Sequence, residues 1–171
     1  MSEPSIAKVL PEEYAAYEQA LTGDGGLNDV RVCLALLAKA REALECSVGE
    51  YSQEDINAYC AAWRLCLRTM QNSTDPTARK LILDAWNKSL QEDSDLASLQ
   101  IYALCEHWDQ KLLTDDFWQL LSQTNKKETV FAICYVLYER GNAADIGQLM
   151  QNANPALMWD FRKSCRTQMT G

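Results

Sequence analysis

The sequence predicts an all-α protein made of antiparallel helical hairpins, about nine helices in a single domain spanning residues 1 to 171. Three observations carry that expectation. Apolar residues recur at spacings of three and four along most of the chain, the period of a helix with one buried face. Gly, Pro, Asn and Asp clusters separate these stretches at short intervals, and short connections favour antiparallel neighbours. The second half also contains a near-repeat: Ile101-Tyr102-Ala103-Leu104-Cys105 returns 29 residues later as Val130-Phe131-Ala132-Ile133-Cys134.

Residues 1–10 are expected to be flexible. A first helix is placed from Pro11, a residue suited to the first turn, with Glu12 and Glu13 complementing the positive end of the helix dipole. It stops at Gly23-Asp24-Gly25-Gly26. The second runs from Asn28 to about Glu45, with Val32, Leu36 and Ala40 on one side and Cys33, Leu37 and Leu44 widening the stripe. Ser52-Gln53-Glu54-Asp55 reads as an N-cap for the third, whose stripe is Ile56, Tyr59, Cys60, Trp63, Leu67 and Met70. Asn72 to Pro76 breaks that helix and starts another, because proline fits the first helical position and not the interior. Leu81, Ile82, Ala85, Trp86 and Leu90 mark its buried face. Helices follow at about Asp95 to Asp109, Thr114 to Gln123, Lys127 to Arg140 and Asn142 to Gln151, and a last one begins at Asn154-Pro155.

The segment Thr129 to Tyr138 is rich in β-branched and aromatic residues, and by composition alone it would suit a strand. The repeat decides for helix. Its earlier copy, Ser98 to Asp109, interleaves Gln100, Glu106, His107 and Asp109 with apolar residues in a helical pattern, and equivalent positions share structure. The greater apolarity of the later copy predicts a helix covered on both sides.

Between residues 101–121 and 130–150 five of 21 aligned positions are identical: Ala103/Ala132, Cys105/Cys134, Asp116/Asp145, Gln119/Gln148 and Leu120/Leu149. A longer apolar helix, a turn and a shorter second helix starting at an Asp resemble the HEAT and armadillo-type α-helical repeats, over about residues 76–151. The resemblance implies hairpins stacked as a short superhelix, with a surface suited to binding rather than bond-making. A 29-residue period is shorter than those families' units, and residues 1–70 do not visibly repeat, so an irregular helical bundle is the alternative.

Composition narrows the function classes. Net charge is −8, with eleven acids against four bases in residues 1–60. Clustered Lys and Arg, which phosphate binding requires, occur only at Arg162, Lys163 and Arg166, so nucleic acid is disfavoured and a basic protein is the more natural partner. No apolar run exceeds nine residues, so no membrane span is predicted. Seven cysteines, with no C-x-x-C pair and no secretory pattern at Met1 to Ser5, point to reduced thiols in a cytoplasmic protein.

Candidate chemistry is sparse. His107 is the only histidine, and Leu104, not Glu, precedes it by three, so a di-iron pattern fails. Zinc-ligand spacings are missing, Glu92-Asp93-Ser94-Asp95 lacks the calcium-loop pattern, and Asp115, Asp116 and Asp145 fall where helix caps belong. No catalytic, cofactor-binding or metal-ligating residue is assigned, and no cofactor is expected. The functional expectation is a non-enzymatic protein-interaction module: an adaptor, a secretion-associated chaperone or an inhibitor of immunity type. Its candidate partner-binding residues are Trp118, which becomes Gly147 in the other copy, Trp159, Tyr138 with Tyr135 and Arg140, and the acidic Glu42 and Glu45. The alternatives are a helical enzyme using a lone cysteine or carboxylates, and a nucleic-acid-binding helical repeat.

Overall fold

The computed structural model describes residues 14 to 47 and 49 to 152. All regular structure among them is helical. Eight α-helices follow in order: α1 (Tyr14–Thr22), α2 (Leu27–Glu45), α3 (Gln53–Asn72), α4 (Pro76–Gln91), α5 (Ala97–Tyr102), α6 (Asp115–Gln123), α7 (Lys127–Arg140) and α8 (Ala143–Asn152), with 3-10 turns at Ala103–Cys105 and Gln110–Leu112. The helix starts expected at Pro11 and Asn154-Pro155 lie outside the described residues. The chain divides between Trp86 and Asn87, within α4, into two compact units.

In the first unit α1 packs on α2 and α3, and α2 on α3. Helix α3 starts as its sequence suggests: Ser52 Oγ accepts the Asp55 N–H at 3.1 Å. Its buried surface is far wider than one stripe. Tyr59, Trp63, Leu67 and Met70 are buried, and so are Ala58, Ala61, Ala62, Leu65, Cys66 and Thr69, whereas Ile56 and Cys60 are only half-buried. The small residues let neighbouring helices approach closely, and a helix enclosed by neighbours needs apolar or internally bonded side chains on several sides. Cys33 of α2 meets Thr69 there, Sγ to Oγ1 3.2 Å. On α4 Ile82 and Trp86 are buried as expected, but Leu81 is exposed and Ala85 half-buried.

The Gly23 to Gly26 turn is held by its own acids. Gly25 N–H donates to Asp29 Oδ2 at 3.2 Å and Gly26 N–H to Asp24 Oδ1 at 3.0 Å. Asp29, in the first turn of α2, thereby does work that Gly26, the N-cap, has no side chain to do. At the far end, Asp75 Oδ1 accepts the Thr77 N–H at 2.9 Å beside Pro76 and opens α4.

In the second unit α5 packs on α7, α6 packs on α7 and α8, and α7 packs on α8. The helix expected from Asp95 to Asp109 is much shorter. Helix α5 ends at Tyr102, tightens into the 3-10 turn and leaves helical structure before Trp108. The later copy carries Val136 and Leu137, both buried, where the earlier one has His107 and Trp108, both half-buried. Because neither side chain is fully buried, another turn of helix gains less from packing there than it does in the later copy. Gln100, read as part of a polar side, is fully buried.

Helix α7 has the expected bounds, yet it is not covered all round. Thr129, Val130, Ala132, Ile133, Cys134, Val136 and Leu137 are buried, while Tyr135 and Tyr138 are exposed and Phe131 is half-buried. Helix α8 opens with a reciprocal cap in which Asp145 N–H donates to Asn142 Oδ1 and Asn142 N–H to Asp145 Oδ2, both at 2.9 Å. Gln110 Nε2 adds a 2.7 Å bond to Asp145 Oδ1, which ties the 3-10 turn to this cap. Its repeat partner Asp116 sits one helical position earlier than Asp145 does, because Thr114 caps α6, and it accepts from Gln91 Nε2 at 2.7 Å.

The acidic stretch after α4 is a clamp between turns. Thr124 Oγ1 donates to Asp93 Oδ1 at 2.9 Å, and Lys126 Nζ to Asp95 Oδ1 at 3.0 Å. These two bonds hold the α4–α5 turn against the α6–α7 turn.

Gly147 lies inside α8, and a Cβ built there meets nothing within 4 Å. Gly147→Ala is therefore expected to stabilise the protein by about 0.5 to 1 kcal/mol, through lower unfolded-state entropy and better helix propensity. A thermal melt that moves down in this variant would contradict the open surroundings assigned to the residue.

Candidate functional site

Of the four large apolar side chains that stand exposed among the described residues of the second unit, Met150 lies on α8 and the other three lie on α5 and α7. Tyr102 is 40% exposed, Tyr135 46% and Tyr138 49%. Tyr102 and Tyr135 meet edge to face, with ring centroids 5.8 Å apart and planes at 65°. Local periodicity explains the arrangement on α7. Phe131, Tyr135 and Tyr138 follow one another at i, i+4 and i+7, so they share a strip, on which Tyr135 and Tyr138 are exposed and Phe131 is half-buried. Arg140 borders the same region. Its Nε donates to the Cys105 carbonyl at 3.0 Å and its Nη2 donates to the same oxygen, fixing the guanidinium at the end of the short 3-10 turn.

The electrostatics of this face come from half-buried acids and from its rim. Burial raises the Tyr102 phenol above its ordinary value, and Cys105, Tyr135 and Cys134 push in the same direction. Burial likewise raises the Cys105 thiol; the Glu139 carboxylate adds to that, Arg140 opposes it and Glu106 adds a little more. A thiol shifted upward is the opposite of an activated nucleophile. In both groups the folded state holds its proton more tightly than the unfolded chain does. Their stabilising contribution is intact below the ordinary values of 9.0 for Cys105 and 10.0 for Tyr102, and it is lost as pH climbs through the folded values. Urea midpoints are therefore expected to hold steady at neutral pH and fall above about pH 9, with a shallower fall in a Tyr102→Phe, Cys105→Ser variant. A midpoint that rises across that range would reverse the assignment.

Neither a family model nor any curated protein or solved structure matches the chain. Its site must be read from its own residues.

The residues expected to bind a partner fall on different elements. Tyr138 belongs to the exposed aromatic face. Trp118, on α6, is half-buried, and its ring meets that of its neighbour Phe117 edge to face, centroids 5.2 Å apart. Glu42 and Glu45 are exposed near the end of α2 in the first unit, where Glu45 Oε1 takes the Arg41 Nε at 2.9 Å. Trp159 and the Arg162, Lys163 and Arg166 group lie outside the described residues. His107 is half-buried in the turn after α5, and among the described residues no three His, Cys, Asp or Glu side chains converge as a metal site.

A cleft of about 220 Å3 opens between the end of α4 and α6, lined by Gln91, Asp93, Asp116, Gln119 and Gln123 over Leu90 and Leu120. Its carboxylates are engaged by the Gln91 and Thr124 bonds already described, and Trp118 is not part of its wall. Tyr102 is the functional candidate that sequence reasoning passed over. It stands at the equivalent of Phe131 in an apolar run, and only the early end of α5 and the packing on α7 bring its ring against Tyr135.

Proposed function

We propose that this protein is a non-enzymatic interaction module that binds another protein through the aromatic face of α5 and α7. The carrying observation is the exposed Tyr102–Tyr135 pair with Tyr138 beside it. Tyrosine offers a large, rigid, amphipathic contact at low entropic cost, and clusters of it mark binding surfaces more often than bare solvent faces. The role of adaptor, secretion-associated chaperone or inhibitor belongs to the same reading, as does a cytoplasmic location based on the seven cysteines. We read α5 with α6, and α7 with α8, as two diverged copies of a HEAT-like hairpin; the packing of α5 on α7 and of α6 on α8 supports that pairing. The lone-cysteine enzyme draws no support from Cys105, given the direction of its shift.

Capture from the native cell with the whole chain, alongside Tyr102→Ser/Tyr135→Ser and Trp118→Ala, tests this reading. Loss of two central anchors is expected to weaken a genuine partner by about 2 kcal/mol or more, roughly 30-fold, while circular dichroism stays unchanged. If the tyrosine variant retains every partner and Trp118→Ala loses it, the site belongs to α6 and the proposal fails.

A further inference from the structure

We infer that Cys33 of α2 and Cys66 of α3 are a redox pair, oxidised by a small peroxide to a reversible disulfide that ties the two helices together. The pair belongs to the first unit, and the tyrosine face to the second. Both thiols are free and fully buried, on helices that pack against each other. Two contacts fix how those helices pass. Cys33 Sγ lies 3.2 Å from Thr69 Oγ1, and beyond the end of α2 Ser47 Oγ donates to Asp55 Oδ2 at 3.4 Å. Cys33 to Ser47 and Thr69 back to Asp55 are equal stretches of sequence, so α2 and α3 run antiparallel in one register. That register sets Ala40 opposite Ala62, and both are fully buried. Alanine facing alanine brings helix axes to the near end of their usual range, about 8 Å, and a disulfide needs such an approach, with α-carbons about 5 to 7 Å apart. Cys66 stands on the same seam, one helical turn from Ala62 on one side and from Thr69 on the other.

The two thiols are hydrogen-bonded to each other, and their environments differ. The bond with Cys66 lowers the Cys33 thiol from its ordinary value; burial and the Asp29 carboxylate oppose this, and the Thr69 hydroxyl assists it. The same bond, with complete burial, raises the Cys66 thiol. One sulfur is thereby favoured as the thiolate nucleophile and the other as its proton-holding partner. Oxidation by hydrogen peroxide balances in two steps. The Cys33 thiolate attacks one peroxide oxygen, breaks the O–O bond and becomes a sulfenic acid, and the departing hydroxide takes up the proton that Cys33 had released. The Cys66 sulfur then displaces the hydroxyl from the sulfenic sulfur and gives it the thiol proton, which yields the S–S bond and a second water. Across both steps each sulfur gives up one electron and the peroxide accepts both. A dithiol reductant reverses the bond by thiol–disulfide exchange. Because neither sulfur touches solvent, peroxide reaches them only when the helix pair opens locally, and they react more slowly than the exposed Cys46.

The test treats the whole chain with hydrogen peroxide, blocks the remaining thiols with N-ethylmaleimide in denaturant, and digests the product with trypsin without reduction. Trypsin frees Cys33 in the peptide of residues 32–39 and Cys66 in that of residues 65–68, each with one cysteine. These two peptides are expected to appear joined, lighter by two hydrogens than the separate pair, and to part on treatment with dithiothreitol. The oxidised protein should melt higher than the reduced one, by about 5 °C or more, since the bond closes the loop from Cys33 to Cys66 in the unfolded chain. Cys66→Ser should abolish both the joined peptides and the rise. Recovery of Cys33 and Cys66 as alkylated thiols after Cys46 has been consumed overturns the pair. So does a sulfinic acid at Cys33 of the unmutated protein, or a bond from either residue to a different cysteine. A joined pair that melts below the reduced protein would show that the seam must distort to close the bond, and it overturns the tie between α2 and α3.

Discussion

Trp63→Ala is expected to destabilise the first unit by about 3 to 5 kcal/mol, the range for removing a large aromatic from a packed core. Trp63 is 1% exposed on α3, and it meets the fully buried Trp86 of α4 edge to face, centroids 5.6 Å apart and planes at 89°. The variant therefore loses the burial of an indole, a pairwise aromatic contact worth about 0.5 to 1.5 kcal/mol, and whatever packing the surrounding side chains cannot close over. Helices cannot collapse freely into the gap, because α3 is enclosed on several sides. For a domain of ordinary stability, about 5 to 15 kcal/mol, such a loss raises the unfolded fraction by a factor of order a hundred or more. Trp63→Phe should cost much less. The indole Nε1 of Trp63 has no hydrogen-bond partner among the described residues, so phenylalanine keeps a ring against Trp86 and removes a buried donor whose desolvation is uncompensated. Denaturant curves of the three proteins, read by circular dichroism, check the order. An alanine variant within about 1 kcal/mol of wild type would contradict the buried position of this side chain.

Gly25→Ala is expected to cost about 2 to 4 kcal/mol, combining backbone strain with overpacking. Gly25 has φ of +76°, in the left-handed region that a side chain disfavours, and a Cβ there would stand 2.7 Å from the Thr69 carbonyl oxygen and 2.9 Å from the Ser73 backbone. These are main-chain atoms at the end of α3, so no side-chain rotation relieves the clash. Gly49 separates the two effects. Its φ is +86° but nothing lies within 4 Å of its Cβ position, so Gly49→Ala carries the backbone cost alone, about 1 to 2 kcal/mol. Equal losses at the two glycines would mean that the α1–α2 turn does not rest on α3 as described.

Much of the helical layout was legible because it is written locally. Ser52 with Asp55, Pro76 after Asp75, and the apolar periods of α2, α3 and α7 place helix boundaries within a few residues, since caps and periodicity act over one turn. Less local features were misread. The earlier copy of the repeat was expected to be a full helix, and it stops at Tyr102 because His107 and Trp108 replace the buried Val136 and Leu137 of the later copy. Leu81 and Gln100 exchange the roles that their polarity suggests, one exposed and the other buried. At the candidate site Tyr138 was legible as an aromatic near Arg140. Tyr102 was not, because its place against Tyr135 depends on how two helices 33 residues apart in sequence cross.

By itself the sequence determined that this chain is helical and where most of its helices begin and end. Those properties follow from period, capping and composition, each readable within a short window. Tertiary structure alone decided which strip of α7 stays bare, which turns Asp93 and Asp95 clamp, and that Gln110 reaches Asp145 across 35 residues. Contacts of that kind arise when elements distant in sequence pack, and no local pattern encodes which of several apolar faces a neighbour will cover. The tyrosine face exists for that reason: packing of α5 on α7 brings Tyr102 against Tyr135 and leaves Tyr135 and Tyr138 exposed.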